Sequence, residues 1–316
     1  MKQDILYIVI PCFNEQDMLP ITTATMVEKL RQLTVHGLIA PESRILYVDD
    51  GSTDATWSLI EQHSREDSEV CGVKLAANVG HQNALMAGLE SACSKADIIV
   101  SIDADLQDDI NVIDLMIEKY EHGCDIVYGV RRERKTDTWF KRNTALAFYK
   151  IMQRLGVKSV YNHADYRLMS RRAVSQLLKY RERNLFLRGM VPLVGYRSEC
   201  VYYDRSERKA GQSKYPLAKM MSFAVDGITS FSIKPVRMVL SLGIIFTLIA
   251  LAMFAYALVA YFTGRAVSGW ASLIMSLWFI GGCVLIGLGI VGIYIGKIYI
   301  EVKDRPRYNV ETELFQ

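Results

Sequence analysis

From Ile5 to Val130, short apolar runs alternate with longer segments whose apolar positions recur every three or four residues. That alternation predicts βαβ units around a mainly parallel sheet. The runs predict strands at Ile5–Ile10, Arg44–Val48, Val73–Leu75, Ile98–Ile102 and Ile126–Tyr128. The periodic segments predict helices near Met18–Leu33, Ala55–Ser64, Gln82–Ala92 and Val112–His122. After Val130 the alternation gives way to basic, amphipathic stretches. In Trp139–Leu155 the residues Ala145, Phe148, Tyr149 and Met152 fall on one helical face, and in Leu217–Phe231 so do Leu217, Met220, Met221, Ala224, Ile228 and Phe231. Core-facing helices have the same period, but the basic neighbours and the position before a membrane favour helices lying on a bilayer.

Beyond them, 27 uncharged residues separate Arg237 from Arg265, and another 31 separate Arg265 from Lys297. Each run exceeds the ~20 residues a spanning helix needs, so two transmembrane helices are expected within 236–298. Lys234 and Arg237 precede the first, Lys297, Lys303, Arg305 and Arg307 follow the second, and the connecting turn holds only Arg265. That distribution predicts cytoplasmic ends and a large N-terminal part facing the cytosol. The opening MKQDILYIVIPCF has too short an apolar run for a signal peptide. Six glycines between Gly281 and Gly296 predict close helix packing in the second span or between protomers. The last residues, ETELFQ, look like part of a protease-site scar and are set aside from the fold reading. The expected layout is a cytosolic domain over 1–215, a juxtamembrane helix over 216–235, the spans, and a cytosolic tail over 299–316.

Composition agrees with a membrane-associated protein. Hydrophobic residues make up 51% and charged residues 22%, with mean hydropathy +0.13, which excludes a disordered chain. A net charge of +3, from 37 basic and 34 acidic residues, gives no ground for nucleic-acid binding. The six cysteines are scattered without a C-x-x-C pair and read as reduced thiols.

Polar clusters follow each of the first four strands: Pro11-Cys12-Phe13-Asn14-Glu15, Asp49-Asp50-Gly51-Ser52-Thr53-Asp54, Asn78-Val79-Gly80-His81-Gln82-Asn83, and Asp103-Ala104-Asp105-Leu106-Gln107-Asp108-Asp109. In open α/β sheets ligands bind outside the carboxyl ends of strands, which makes these clusters the candidate site. The i, i+2 carboxylates of Asp103 and Asp105 can converge on one hard cation, for which oxygen ligands suit Mg²⁺ or Mn²⁺. Either acidic cluster alone is also what a solvated capping turn looks like; the two after separate strands of one sheet are harder to obtain by accident.

The stretches IPCFNE, VDDGSTDAT, NVGHQNALMAGL, DADLQDD, DYRLMSRRAV and AGQSKYPLAKM, in this order and followed by two apolar spans, resemble the family-2 glycosyltransferases of GT-A fold. Closer still, the chain is similar to their polyisoprenyl-phosphate branch. The resemblance implies an α/β, Rossmann-like GT-A domain, then interfacial amphipathic helices and two transmembrane helices in the plasma membrane. It also implies a UDP-sugar donor, a divalent metal, and undecaprenyl phosphate as acceptor, with glucose the leading sugar and N-acetylglucosamine the alternative. Residue by residue, Pro11, Asn14, Glu15, Asp49 and Asp50 would line the base and ribose pocket, and Asp103, Asp105 and Gln107 would hold donor and metal. Arg131, Arg205, Arg208 and Lys214 would bind the acceptor phosphate. Asp165 is the residue a base argument would choose, yet a phosphate monoester is already largely dianionic at neutral pH, which leaves Asp165 a positioning role. His81 could merely pin a loop. A homo-oligomer and a downstream flippase or transferase would fit such an enzyme. A processive synthase would carry Q-x-x-R-W, and no tryptophan here follows an arginine. A catalytically silent membrane scaffold is the reading from another class, and the intact acidic motifs argue against it.

Overall fold

A computed structural model describes residues 3–132, 163–183, 185–204, 234–263 and 269–315. The predicted amphipathic stretch 139–155, residues 216–233, and Arg134, Arg205, Arg208, Lys209 and Lys214 lie outside the described residues. Two compact units emerge: one holds the sheet together with the tail from Arg305, and the other holds two long helices through Asp304.

The expected strands form β1 (Leu6–Cys12), β2 (Arg44–Asp49), β3 (Val70–Leu75), β4 (Ile98–Ser101) and β5 (Ile126–Arg131). The expected helices form α1 (Leu19–Val35), α2 (Thr56–Glu66), α3 (His81–Cys93) and α4 (Val112–Glu121). All seven residues of β1 are buried, as a strand covered on both faces requires. α1 buries Leu19, Thr23, Met26, Leu30 and Leu33, one stripe at helical spacing. Gly88 of α3 sits so close to β1 and β2 that a Cβ there would lie 2.4 Å from Val9 and 2.6 Å from Val48. All six cysteines are free.

Past Val130 the fold departs from expectation. The DYRLMSRRAV stretch forms part of β6 (His163–Ser170) and runs into α5 (Arg171–Leu177). There follow α6 (Leu187–Met190), a 3₁₀ turn, and β7 (Ser198–Tyr203). The tail forms β8 (Val310–Leu314). The sheet order is β7-β5-β6-β4-β1-β2-β3-β8. β1 to β4 pair in parallel, whereas β6 enters antiparallel between β4 and β5. The ETELFQ end therefore belongs to the fold. Most of it is an edge strand pairing antiparallel with β3, with Lys74 on Glu311 at 3.0 Å and Leu314 beside Gly72.

In the second unit, α7 (Lys234–Phe262) and α8 (Trp270–Val302) contain the two predicted spans. Their apolar windows, Val236–Met253 and Phe279–Val302, have mean hydropathies of 2.3 and 2.2 and bury none of their residues within the protein. An apolar surface of that extent needs a cover other than water, and lipid supplies one. Phe246 meets Phe279 edge to face at 5.8 Å, and Gly287 lets Val239 approach to where a Cβ would lie 3.1 Å away. Of the glycines in that span, Gly287 is the one that packs on α7; the others have open space beside them.

Removing residues 309–316 tests the tail. Losing the β3 pairing and the Leu314 contact costs about 2 kcal/mol or more. The thermal midpoint of the detergent-solubilised chain should then fall by about 4–8 °C in a fluorescence melt. An unchanged midpoint would show that β8 adds nothing to the domain.

Candidate active site

The parallel core brings the ends of β1, β2, β3 and β4 to one edge, and β1 lies where the strand order reverses. Two loops there are zipped together by side chains. Asn14 donates its backbone N–H to Ser52 Oγ at 3.0 Å, and its Oδ1 accepts from Thr53 N at 2.9 Å. Glu15 N donates to Thr56 Oγ1 at 3.0 Å, and Gln16 Oε1 accepts from Ala55 N at 3.1 Å. Asn14 has φ of 52°, a left-handed conformation that asparagine tolerates better than most residues.

Asp49 is fully buried and accepts weakly from Ser52 N at 3.3 Å. Asp50 accepts from Val79 N at 2.7 Å and Gly80 N at 2.9 Å, one bond to each oxygen, which ties the β2 loop to the start of α3. Burial pushes both carboxyls up from their ordinary value, opposed by these hydrogen bonds. Gly51 has φ of 67°, and a Cβ there would lie 2.6 Å from Asn78 N, so glycine is required where the loops stack.

After β4, Asp103 is partly exposed and Asp105 accepts from Gln107 N at 3.2 Å. Leu106 between them has φ of 51°, which costs about 1–2 kcal/mol. Its side chain is 6% exposed, and burial of that size returns about 1.5–3 kcal/mol, so packing outweighs the strain. Thr22 of α1 donates to Ala104 O at 2.7 Å and holds the same turn. Burial, together with the carboxylates of Asp165, Asp108 and Asp105, pushes Asp103 upward against the opposing pull of His81. Such crowding of carboxyls favours a cation. The donor set is two carboxylates and an amide, and no cage of three or more His, Cys, Asp or Glu is present among the described residues. That set fits Mg²⁺ or Mn²⁺ shared with substrate phosphates and water.

Asp165 reaches this edge because β6 is antiparallel: Ser101 pairs with Arg167, and the start of β6 therefore lies at the end of β4. Ser101 Oγ donates to Asp165 O at 2.6 Å. Arg167 is 1% exposed and places Nη2 2.5 Å from Asp165 Oδ1, while Arg188 of α6 places Nη2 3.3 Å from Oδ2. His81 Nε2 lies 3.6 Å from Asp103 and 3.9 Å from Asp165, between the two. Burial alone would raise the Asp165 carboxyl, but Arg188, Arg167 and His81 together outweigh it and hold it well below the usual carboxylate range. Arg188 is absent from the sequence-derived site, because its local stretch, NLFLRGM, carries no motif signal.

Arg131 faces the acidic loop. Its Nε and Nη2 lie 3.0 and 2.9 Å from Asp108 Oδ1, and Tyr203 OH donates to the same carboxylate at 2.6 Å. The structure thus brings Pro11, Asn14, Glu15, Asp49, Asp50, Asp103, Asp105, Gln107 and Asp165 to one sheet edge, and turns Arg131 toward the acidic loop.

Residues 7–178 match glycosyl transferase family 2. The chain is 52% identical to the uncharacterized glycosyltransferase YkoT of Bacillus subtilis, covering 99% of this chain and 93% of that one. It is 39% identical to the SfII prophage-derived bactoprenol glucosyl transferase of Shigella flexneri, covering 96% of both chains. A structural likeness covers 72% of this chain and 76% of glucosyl-3-phosphoglycerate synthase from Mycobacterium tuberculosis, at 17% identity and a TM-score of 0.45. With the expected strands, acidic loops and apolar spans in place, the chain belongs to glycosyl transferase family 2 and is a glycosyltransferase of that family's GT-A type.

Proposed function

We propose that this enzyme transfers glucose, with inversion, from UDP-glucose to undecaprenyl phosphate at the cytoplasmic face of the plasma membrane. The product would be a lipid-linked sugar for cell-envelope glycan modification, consumed by a flippase or a second transferase. The observation that supports this reading is the adjacency of Asp103, at the end of β4, to Asp165 with its two guanidiniums, His81 lying between the two carboxylates. One side suits a cation-bound diphosphate, the other an incoming anion. Sugar and lipid are taken from the full-length likeness to bactoprenol glucosyl transferases.

Asn14, Glu15, Asp49 and Asp50 shape the nucleoside end of the pocket. Asp103, Asp105 and Gln107 would hold Mg²⁺ or Mn²⁺, which would neutralise charge gathering on the departing diphosphate. An acceptor phosphate oxygen supplies the electron pair for the new bond to the anomeric carbon, and the pair of the broken bond leaves with UDP. No proton has to be removed from a dianionic phosphate. Asp165 suits that route, since both its oxygens face cations and its carboxyl stays ionised. The tail supports that orientation: the chain enters α7 from the sheet domain and later pairs β8 with β3, so two crossings would put both ends on the catalytic side. The basic residues Lys297, Lys303, Arg305 and Arg307 agree with a cytoplasmic exit.

Purified wild type with undecaprenyl phosphate and labelled UDP-glucose should give chelator-sensitive label in the organic phase. Asp105→Ala should reduce it about 100-fold or more, the loss of several kcal/mol of charge stabilisation. Undiminished transfer by that variant would sink the metal assignment. Label from UDP-N-acetylglucosamine alone would change the sugar and leave the reaction class standing.

The pH profile separates the roles open to Asp165. A folded-state pKa below the unfolded value means that its contribution to stability is present above about pH 4 and is lost only at more acidic pH. The acid limb of kcat should therefore fall near pH 6, the second ionisation of a phosphate monoester. Asp165→Asn leaves Arg167 buried without its carboxylate and should cost about 3–5 kcal/mol of stability. The fraction that stays folded should still turn over above pH 6. If folded Asp165→Asn bound both substrates yet did not turn over, a base role would have to be restored.

A further inference from the structure

We propose that Arg188 binds the phosphate monoester of the acceptor, an assignment that rests on the acceptor reading above. Three arginines stand at or beside the candidate site in the described residues, and their surroundings differ. Arg167 is sealed in the sheet at 1% exposure, with its Nη2 2.5 Å from Asp165 Oδ1. Arg131 is committed to Asp108, a carboxylate 1% exposed, with Tyr203 donating to the same oxygen. Arg188 is 34% exposed, and its Nη2 lies on Asp165 Oδ2 at a longer 3.3 Å. A guanidinium that reaches solvent through a long hydrogen bond can turn part of its fork to an arriving oxyanion without leaving a buried charge alone.

Position supports the same choice. Asp165 Oδ2 is the oxygen that also faces His81, and His81 faces Asp103 in the donor loop. A nucleophile must arrive beside the donor, and Arg188 stands on the remaining side of that carboxylate. Its backbone is anchored as well: Leu187 N donates to Gln82 Oε1 at 2.8 Å, which ties α6 to the first turn of α3, where His81 lies. Arg188 is thus a forked cation on α6, which is held against the first turn of the helix that carries His81. In this arrangement Asp165 is the positioning residue, acting on the phosphate through Arg188.

The test uses full-length enzyme in detergent with Arg188→Ala, Arg188→Lys and Gln82→Ala. Arg188→Ala should raise the KM for undecaprenyl phosphate about tenfold or more, with donor KM and UDP affinity within about twofold. Arg188→Lys should recover part of the loss, since it keeps the charge but not the fork. Gln82→Ala, which removes no charge, should raise acceptor KM several-fold and serves if Arg188→Ala does not fold. Inhibition by inorganic phosphate should weaken in parallel with acceptor KM, because the shared chemistry is the phosphate dianion. Binding to phosphatidylglycerol vesicles free of undecaprenyl phosphate should not change.

Wild type that transfers to undecaprenyl phosphate, together with Arg188 variants whose acceptor KM is unaltered, would overturn this inference alone. So would an equal rise in donor and acceptor KM, or loss of vesicle binding with acceptor KM intact. Wild type that transfers to no polyisoprenyl phosphate would overturn the acceptor reading and this assignment with it.

Discussion

A guanidinium sealed inside a β-sheet is tolerable only if a carboxylate meets it, and Arg167 with Asp165 is that pair. Arg167 is fully buried, and its Nε has no hydrogen-bond partner in the structure, so the contact at Nη2 bears most of the compensation. The pair forms within β6, where residues two apart share a face, and the antiparallel entry of β6 between β4 and β5 carries residue 165 to the edge where the parallel strands end. Everything on the acceptor side follows from it. The carboxylate that neutralises Arg167 also meets Arg188 and His81.

The site is divided by charge. Toward β2 and β4 lie carboxylates, some spent on backbone N–H groups, as with Asp50, and some left in a crowd around Asp103. Toward β6 and α6 lie guanidiniums. A substrate pair consisting of a cation-bound diphosphate and a phosphate nucleophile matches that division, and the imidazole of His81 lies at the boundary. Arg131 belongs structurally to the acidic loop: with Tyr203 and Asp108 it fastens β5 and β7 to the turn that follows β4. Burial and the neighbouring Asp108 carboxylate push the Tyr203 hydroxyl up, which keeps it a donor there.

The tail does more than end the chain. Besides β8, Tyr308 bonds Glu90, Arg307 donates to Tyr180 O, and Lys95 stacks over Phe315 at 3.8 Å. Cation–π and edge-strand contacts are each modest, but together they return the chain to the sheet after two long apolar helices.

The sequence alone determined the parallel half of the sheet, α1 to α4 and the two apolar helices, because each is written as a local period or an uninterrupted run. It also determined the loops Asn14–Glu15, Asp49–Asp54 and Asp103–Asp109, since polar clusters after strands are read without knowing how strands pair. Tertiary structure decided the rest. Antiparallel β6, and β7, which pairs in parallel with β5, have no local signal that distinguishes them from amphipathic connectors, and ETELFQ gains its meaning only from the edge of β3. The pairings of Arg131 with Asp108 and of Arg188 with Asp165, each 23 residues apart, are ones that no spacing rule encodes, whereas Arg167 lies two residues from Asp165 on the same strand. Electrostatic partners are chosen by where the fold places charge, and that placement is a property of the sheet order rather than of any segment.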